Sequence, residues 1–333
     1  MIETIYIERS VLDHPRTQGI LGRFPGAERI LIERYGEVFN RRGQNFRLQK
    51  KQPALILAYK HDGHVLSTPP GYGIGGEHNY YFSHLLNCLY DCRYCFLQGM
   101  YRSAHYVLFV NYEDFESGME AVLARHADED VYFFSGYDCD SLALESVTHF
   151  VADTLPFFRD RERAFLELRT KSLQSRPLLD TDPVPNVVVA FSLTPDHVAQ
   201  SLEHKAPSIA RRLAVMGKLA RHGWSIGLRF DPLIYGEAWA EQYEALFDSV
   251  FRAVPIERIH SVSYGPLRFP KKMFKDIVQL YPEERLFAGP LELAGGMTAY
   301  PEELEAEMAE FCREKLSASL DDTVFFQCTP EIR

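Results

Sequence analysis

The chain has 333 residues, 46% of them hydrophobic and 25% charged, which is the composition of a folded protein and excludes disorder and fibrous structure. Its 36 Lys and Arg against 46 Asp and Glu give a formal net charge of −10, which disfavours a protein that binds nucleic acid through non-specific phosphate contacts. There is no run of about 18 uncharged apolar residues, and the mixed, acidic N-terminus does not resemble an export signal. We therefore expect a cytoplasmic protein without a transmembrane helix.

Residues 1–68 are predicted to form a small N-terminal unit of mixed α/β structure. Its strands are expected at 4–9, 28–34 and 53–60, and its helix at 11–24. Between them, residues 40–51 concentrate Arg and Lys around Phe46. This segment is either a solvated loop or a phosphate-contacting patch with one stacking aromatic side chain.

Residues 69–79 are rich in Gly and Pro and are predicted to be a linker, after which strands and helices alternate over residues 80–270. Six strands rich in β-branched and aromatic residues are expected at 80–86, 131–136, 164–170, 186–194, 224–230 and 259–265. Four helices are expected at 113–126, 141–153, 207–222 and 237–252. Such strands are buried on both faces of a parallel sheet, and right-handed crossovers turn six units into an open sheet or an incomplete barrel. Residues 271–333 are expected to be a C-terminal extension that packs on this domain, with a helix at 301–316.

Polar residues follow the predicted strands at the points where these end. The second strand leads into Ser135 and Gly136, the third into Lys171, the fourth reaches Ser192 and the fifth leads into Asp231. In parallel α/β sheets, ligands bind at the carboxyl ends of the strands. The sequence therefore predicts an active site at this edge.

The most specific signal is a CxxxCxxC motif, formed by Cys88, Cys92 and Cys95 directly after the first strand of the predicted barrel. Thiolates are ligands for iron–sulfur clusters and for zinc. Three thiolates would leave one iron of a [4Fe–4S] cluster open to a further chelating ligand. The alternative is a zinc site that His84 or His105 completes.

In its spacing and location, this motif resembles that of the radical S-adenosylmethionine (SAM) enzymes. The resemblance implies an α/β fold with an incomplete (β/α)6 barrel, a [4Fe–4S] cluster on the three cysteines, and SAM bound to the open iron. Reductive cleavage of SAM then gives a 5′-deoxyadenosyl radical. The resemblance also implies that Tyr94 packs beside the adenine, that Ser135 and Gly136 bind the SAM amino group, and that Lys171 and Ser192 hold its carboxylate and ribose.

Longer stretches of the chain are similar to the spore photoproduct lyase family. They are the segments 5–24, 167–172, 191–195 and 201–234. Members of this family reverse a thymine–thymine dimer in DNA by radical fragmentation and return a hydrogen atom at the end. The resemblance implies a carbon–carbon lyase that repairs DNA with a pyrimidine lesion and that receives electrons from a donor such as flavodoxin or ferredoxin.

Two positions depart from the family pattern. A Tyr follows the last cluster cysteine in the lyases, but here the residue is Phe96, so Tyr94 is the phenol left for radical relay. The lyases also use a cysteine after the second strand as hydrogen donor. Cys139 is the candidate donor, about two places from the expected position, which Tyr137 occupies. The other two cysteines, Cys312 and Cys328, are predicted to be structural.

Two other functions stay open on the sequence alone. One is a radical SAM enzyme on the same scaffold that acts on another nucleobase or on a non-DNA molecule. The other is a non-catalytic zinc or iron–sulfur protein that binds nucleic acid through residues 40–51. For a DNA lesion, a β-hairpin or wedge would be needed to flip the base out, and the basic segment 268–275 is a candidate neighbour. Glu203 and Arg211 either pair on the surface or line the site.

Overall fold

In the computed structural model, residues 2–327 are described, and they form eighteen strands and twelve α-helices. The strands are β1 (Thr4–Glu8), β2 (Glu28–Ile32), β3 (Leu55–Ala58), β4 (Leu66–Ser67), β5 (His78–Tyr81), β6 (Leu85–Leu86), β7 (Asp91–Cys92), β8 (Tyr106–Phe109), β9 (Val131–Phe134), β10 (Ala164–Thr170), β11 (Val187–Ser192), β12 (Glu203–His204), β13 (Ser225–Leu233), β14 (Ile259–Pro266), β15 (Arg268–Pro270), β16 (Glu292–Ala294), β17 (Met297–Ala299) and β18 (Phe325–Gln327). The helices are α1 (Pro15–Arg23), α2 (Phe46–Lys51), α3 (Leu97–Met100), α4 (Tyr112–Arg125), α5 (Glu145–Thr148), α6 (Phe150–Arg159), α7 (Arg176–Leu179), α8 (Asp196–Leu202), α9 (Ile209–His222), α10 (Trp239–Ala253), α11 (Lys271–Leu280) and α12 (Glu302–Ser317).

The central sheet is a curled half-barrel with the strand order β18-β14-β13-β11-β10-β9-β5-β4. Its six strands from β5 to β14 pair in parallel, in chain order, with helices in the connections. The β18 strand extends the parallel part of the sheet beside β14, and β4 closes the other edge in an antiparallel pairing. The predicted six-unit α/β partial barrel is therefore confirmed.

The barrel strands form because their side chains are buried on both faces. All six residues of β11 are buried, as are Leu168 in β10 and Leu228 in β13, which have no exposed surface. Each fully buried Val, Leu or Phe side chain stabilises the fold by about 1.5–3 kcal/mol. The β-branched and aromatic runs of the sequence predicted these strands for the same reason.

The second sheet, with the order β2-β1-β3-β8-β6, joins the N-terminal unit to the barrel. Two of its strands, β6 and β8, come from beyond the predicted linker and flank the CxxxCxxC segment in the chain. The predicted strand 80–86 is therefore split, because β5 ends at Tyr81 and Leu85–Leu86 joins the other sheet. An apolar run of this length does not reveal whether it forms one strand or two. The division between the sheets thus does not follow the predicted boundary at residues 69–79.

Two further predictions of local structure need correction. Residues 46–51 of the predicted loop form α2, which begins where the Asn45 side chain accepts a hydrogen bond from the Leu48 backbone nitrogen at 3.0 Å. The predicted helix 141–153 is split into α5 and α6 at His149, whose φ of 49° interrupts the helical geometry.

The C-terminal part adds a small three-stranded sheet, β15-β17-β16, and the helix α12. The β16 and β17 strands form a hairpin through Gly295 and Gly296, whose φ values of 57° and 83° suit a two-residue turn. Cys312 is fully buried in α12, which packs against α10 and β14. Cys328 lies outside the described residues. Among the described helices, none is long and apolar enough to cross a membrane.

Candidate active site

A cavity of about 400 Å³ lies at the carboxyl edge of the barrel strands, where the sequence predicted the site. Gly136, Lys171, Ser192 and Asp231 line it from the barrel. Its opposite wall consists of the CxxxCxxC segment, and the loop after β14, with β15 and the start of α11, covers its side. The cavity therefore brings together residues from most of the chain.

All three cysteines of the motif line this cavity. The segment is held against the barrel by an antiparallel pairing of β7 with β12, in which Cys92 lies opposite Glu203. The Arg93 backbone nitrogen donates to the Leu202 carbonyl at 2.8 Å, and the Gln98 side-chain nitrogen donates to the Cys92 carbonyl at 3.1 Å. The loop is thus fixed through its backbone, and its sulfur atoms remain available for a ligand.

The donor set fits an iron–sulfur cluster better than zinc. A zinc ion bonded to sulfur at ≈ 2.3 Å brings its ligands to within about 4 Å of each other. Over residues 2–327, three candidate ligand atoms lie within 4.8 Å of one another at His78, His126 and Glu129, and the three cysteines do not form such a group. At least one pair of their sulfur atoms is therefore more than 4.8 Å apart, a separation that suits ligands of different irons in one cluster.

Neither histidine proposed for a zinc site lies on the cavity wall. His84 is buried and stacks on Phe150 with a centroid distance of 3.7 Å, and burial lowers its pKa to about 3. His105 accepts a hydrogen bond from the Ala54 backbone nitrogen through Nδ1 at 2.9 Å. These contacts give both histidines structural roles.

Burial also keeps the thiols protonated until a metal displaces the protons. Burial raises the pKa of Cys88 to about 12 and raises the pKa of Cys92 and Cys95. Metal binding to a thiol releases its proton, so cluster assembly at this site is coupled to proton release.

A buried charge network lies behind the cluster loop, around Glu203. Its carboxylate accepts hydrogen bonds from the Tyr94 hydroxyl and from Arg212, and the Lys171 Nζ lies 3.6 Å from Oε1. Although burial alone would raise the pKa of Glu203, the charges of Lys171 and Arg212 hold it below its ordinary value. The predicted pairing with Arg211 is wrong, since Arg211 is exposed and the next arginine in α9 points inward.

The residues from the strand ends that were predicted to bind SAM lie in two different situations. Gly136, Lys171 and Ser192 line the cavity. Ser135 is fully buried, and its hydroxyl is engaged by Ser141 Oγ at 2.8 Å and by the Glu167 carbonyl at 3.1 Å. At Gly136, a Cβ would lie 2.8 Å from the Cβ of Arg169, so the chain after β9 can pack this closely against the end of β10 only without a side chain.

Tyr94 also lines the cavity, with the Lys171 Nζ 5.6 Å from the centre of its ring. Burial and the Glu203 carboxylate raise the pKa of this phenol well above its ordinary value. The phenol therefore stays neutral at the cavity wall, and its hydroxyl donates to Glu203.

The predicted hydrogen donor Cys139 and Tyr137, which occupies the expected position, both line the cavity. The Cys139 sulfur lies 3.5 Å from the Ser135 carbonyl, and burial raises the pKa of its thiol well above the ordinary value. Tyr137 stacks on Tyr81 with a centroid distance of 4.4 Å, and its ring lies 6.0 Å from that of Phe96. Both groups keep their hydrogen at neutral pH.

A charged wall of the cavity, formed by Arg169, Arg268 and Asp231, was only partly foreseen from the sequence. Burial raises the pKa of Asp231, and the charges of Arg169 and Arg268 oppose that rise. The side chain of Arg169 is held in place by a hydrogen bond, which its Nε donates to Glu167 Oε1 at 2.9 Å. The signal for Arg169 was present in the sequence, since it precedes Lys171 by two positions and so lies on the same face of the strand end.

The buried pair of Glu167 and Arg229 supports this wall and makes stability depend on pH. Burial would raise the pKa of Glu167, but Arg229, whose Nη2 donates at 2.7 Å, and Arg169 lower it to about 2. The carboxylate therefore contributes about 3 kcal/mol of stability above pH 4.5, which is lost as the pH falls towards 2.

Glu167→Gln is expected to have a lower free energy of unfolding than wild type. We expect this deficit to become smaller as the pH falls from 4.5 towards 2, because wild type then loses the contribution of its carboxylate. A deficit that stays constant in urea titrations from pH 5 to pH 2 would contradict the assignment.

The two basic segments differ in their surroundings. In 40–51, Phe46 is buried, and Arg47 pairs with Glu283 at 2.8 Å, so the stacking patch predicted there is wrong. In 268–275, Arg268 lines the cavity beside the β16–β17 hairpin. The hairpin residues 292–296 are exposed, including Leu293 at 53%.

Comparison with known proteins identifies the family. The spore photoproduct lyase family profile matches residues 77–290. The chain belongs to the spore photoproduct lyase family.

Curated members of the spore photoproduct lyase family show how far the similarity extends. The chain is 24% identical over 291 residues to the spore photoproduct lyase of Bacillus subtilis, which covers 85% of this chain and 83% of that protein. It is also 24% identical over 202 residues to the enzyme of a Geobacillus species, covering 60% and 59% of the two chains.

Solved structures of spore photoproduct lyases share the fold over almost the whole chain. One is complexed with dinucleoside spore photoproduct, and it superposes with a TM-score of 0.85 at 19% identity, covering 99% of this chain and 98% of that one. A mutant with bound AdoMet and dinucleoside spore photoproduct gives the same TM-score at 20% identity and the same coverage. The expected family and fold are thus confirmed.

Proposed function

We propose that this protein is a radical SAM lyase of the spore photoproduct lyase type, which uses a [4Fe–4S] cluster and SAM to reverse a thymine dimer in DNA. The observation that carries the proposal is the cavity itself. Three thiols with the spacing of a cluster site face the strand ends of a partial barrel, in a chain of this family. When bound, the cluster and SAM supply the 5′-deoxyadenosyl radical.

The residues of this chain bind and orient the reactants. Cys88, Cys92 and Cys95 hold the cluster. The neutral ring of Tyr94 packs beside the adenine, while Gly136, Lys171 and Ser192 receive the amino, carboxylate and ribose groups of SAM. Ser135 supports Gly136 from behind, since its hydroxyl is engaged within the barrel.

DNA with a pyrimidine lesion is the proposed substrate. An enzyme that acts on bases inside a barrel must flip them out of the stack. The exposed β16–β17 hairpin stands beside the cavity, with Leu293 in β16 suited to fill the gap that the flipped bases leave. Arg268 lines the cavity on the side of the hairpin. Its guanidinium group would bind a phosphate of the DNA strand that carries the flipped bases.

The reducing electron comes from a low-potential protein such as flavodoxin or ferredoxin, and the enzyme works in the cytoplasm. Support for this location comes from the chemistry, because free buried thiols and a reduced cluster require a reducing compartment.

The test is an anaerobic assay with reconstituted protein, SAM, dithionite and a dinucleotide that contains the spore photoproduct. The expected products are intact thymidylyl-thymidine and 5′-deoxyadenosine. Release of 5′-deoxyadenosine without repair would favour the second candidate, a radical SAM enzyme with another substrate, which Phe96 and the position of Cys139 keep open. A protein that binds zinc and cleaves no SAM would overturn both.

The hydrogen donor is proposed to be Cys139, because an S–H bond is weak and its thiol is held neutral at the cavity wall. In D2O the thiol exchanges, so wild type should place deuterium in the repaired thymine. Cys139→Ala should lose most of this label and release by-products, whereas Tyr137→Phe should keep it. The reverse pattern would assign the donor role to the phenol of Tyr137.

A further inference from the structure

Lys50, in the N-terminal unit, contributes a buried cation to the cluster loop from outside the barrel. It lies in the last turn of α2 and is only 8% exposed. Its Nζ donates to the carbonyls of Cys88 and Tyr90, both at 3.2 Å, and the side chain lines the cavity. The N-terminal unit thus reaches the first cysteine of the motif directly.

The position of this ammonium group is fixed from both ends. Phe46, the first residue of α2, is buried, and its ring centre lies 5.8 Å from the Lys50 Nζ. At the helix end, the Lys205 Nζ donates to the Lys50 carbonyl at 2.6 Å. Since Lys205 follows β12, the same segment of the barrel that pairs with the cluster loop also fixes the helix that carries Lys50.

Lys50 forms no ion pair with a carboxylate in the part of the chain that the structure describes. Its two nearest acceptors are neutral carbonyls, and within residues 2–327 no Asp or Glu oxygen lies within 4.0 Å of its Nζ. The ammonium group lies beside the ligand loop, because its Nζ is 3.2 Å from the Cys88 carbonyl oxygen and the Lys50 side chain lines the same cavity as the three cysteines. The charge of Lys50 also acts on the Asp91 carboxylate, which forms its own ion pair with Arg93 at 2.8 Å. A buried charge acts strongly on its neighbours, because little solvent screens it.

We propose that Lys50 positions the loop of the first cluster cysteine and favours the reduced state of the [4Fe–4S] cluster. This proposal rests on the proposed function, because it requires a cluster on the three cysteines. Reduction adds one electron from a low-potential donor, and no bond forms or breaks in that step. The negative charge of the cluster with its thiolates then grows by one, so a fixed positive charge beside it stabilises the reduced form.

The test is a redox titration of the reconstituted protein with dithionite, without SAM, followed by the electron paramagnetic resonance signal of the reduced cluster. For Lys50→Met, we expect the ratio of reduced to oxidised cluster at a fixed potential to fall about tenfold, which equals 59 mV for one electron. Lys50→Arg should stay close to wild type because it keeps the charge. Lys51→Met is the matched control, since this neighbour is exposed and should leave the ratio unchanged.

The possible outcomes separate this proposal from the proposed function. Failure of wild type to form a cluster would overturn both. A cluster in wild type and in Lys50→Met with equal midpoints would overturn the proposal alone. If Lys50→Met loads no iron, Lys50→Gln is used in its place. The amide of Gln is uncharged, but it can still donate a hydrogen bond to one of the two carbonyls. If neither neutral variant loads iron but Lys50→Arg does, the charge serves assembly and the redox role is wrong.

Discussion

Cys92→Ala is expected to remove the iron–sulfur cluster and with it the cleavage of SAM. Cys92 is the central ligand of the motif and lies in β7, the strand by which the loop is attached to the barrel. Loss of an outer-shell partner costs roughly 10–100-fold in metal affinity or activity, and loss of a ligand should exceed this range. Iron and sulfide analysis after anaerobic reconstitution measures the first effect, and release of 5′-deoxyadenosine with dithionite measures the second.

Cys312→Ala is the matched control for this experiment. Cys312 is equally buried, but it lies in α12 and not on the cavity wall. This variant should bind a full cluster and lose about 1 kcal/mol of stability, as expected for a small core truncation. Equal iron loss in both variants would mean that iron content reports on folding, and full loading of Cys92→Ala would refute the assignment of the ligand.

Glu203→Gln is expected to lower the free energy of unfolding by about 3–5 kcal/mol, because it leaves two buried cations without their counter-charge. Glu203 and Arg212 are 4% and 0% exposed, and Lys171 lies beside them on the cavity wall. The same change releases Tyr94, whose hydroxyl donates to this carboxylate. Anaerobic urea unfolding measures the loss of stability, and binding of SAM to the reconstituted variant measures the effect on the site.

The exposed ion pair of Arg176 and Asp180 is the matched control, since its side chains are 91% and 65% exposed. Asp180→Asn should change stability by no more than about 0.5 kcal/mol, because a pair in water gains little. If Glu203→Gln were no less stable than Asp180→Asn, the buried network would not be a source of stability.

The features that could be predicted from the sequence are those with short-range signals. The β-branched runs predicted the six barrel strands, since burial on both faces demands such residues. The spacing of Cys88, Cys92 and Cys95 predicted a cluster loop, and the strand ends predicted the edge where Lys171 and Ser192 line the cavity.

The remaining features depend on contacts between distant segments. The β7 and β12 strands have two residues each, too short for any pattern, and they exist because they pair with each other. Which of the two adjacent arginines in α9 points inward depends on the rotation of that helix against β13. The sequence predicted Lys50 to lie in a basic surface segment, because no pattern in the neighbouring residues indicates that its ammonium group donates to the Cys88 carbonyl.

The pairing of β7 with β12 has a consequence for the order of events during synthesis. Cys92 leaves the ribosome 111 residues before its partner Glu203, an interval of roughly 6–22 s at 5–20 residues per second. During that time the loop lacks the strand that pairs with Cys92, so we expect this thiol to be open to alkylating agents. We therefore expect nascent chains stalled before residue 203 to react fully with a thiol reagent, and chains stalled well beyond it to be protected at Cys92. Equal protection of Cys92 at both lengths would show that the loop becomes ordered without the barrel, and full reaction at both lengths would show that the pairing with β12 does not protect it.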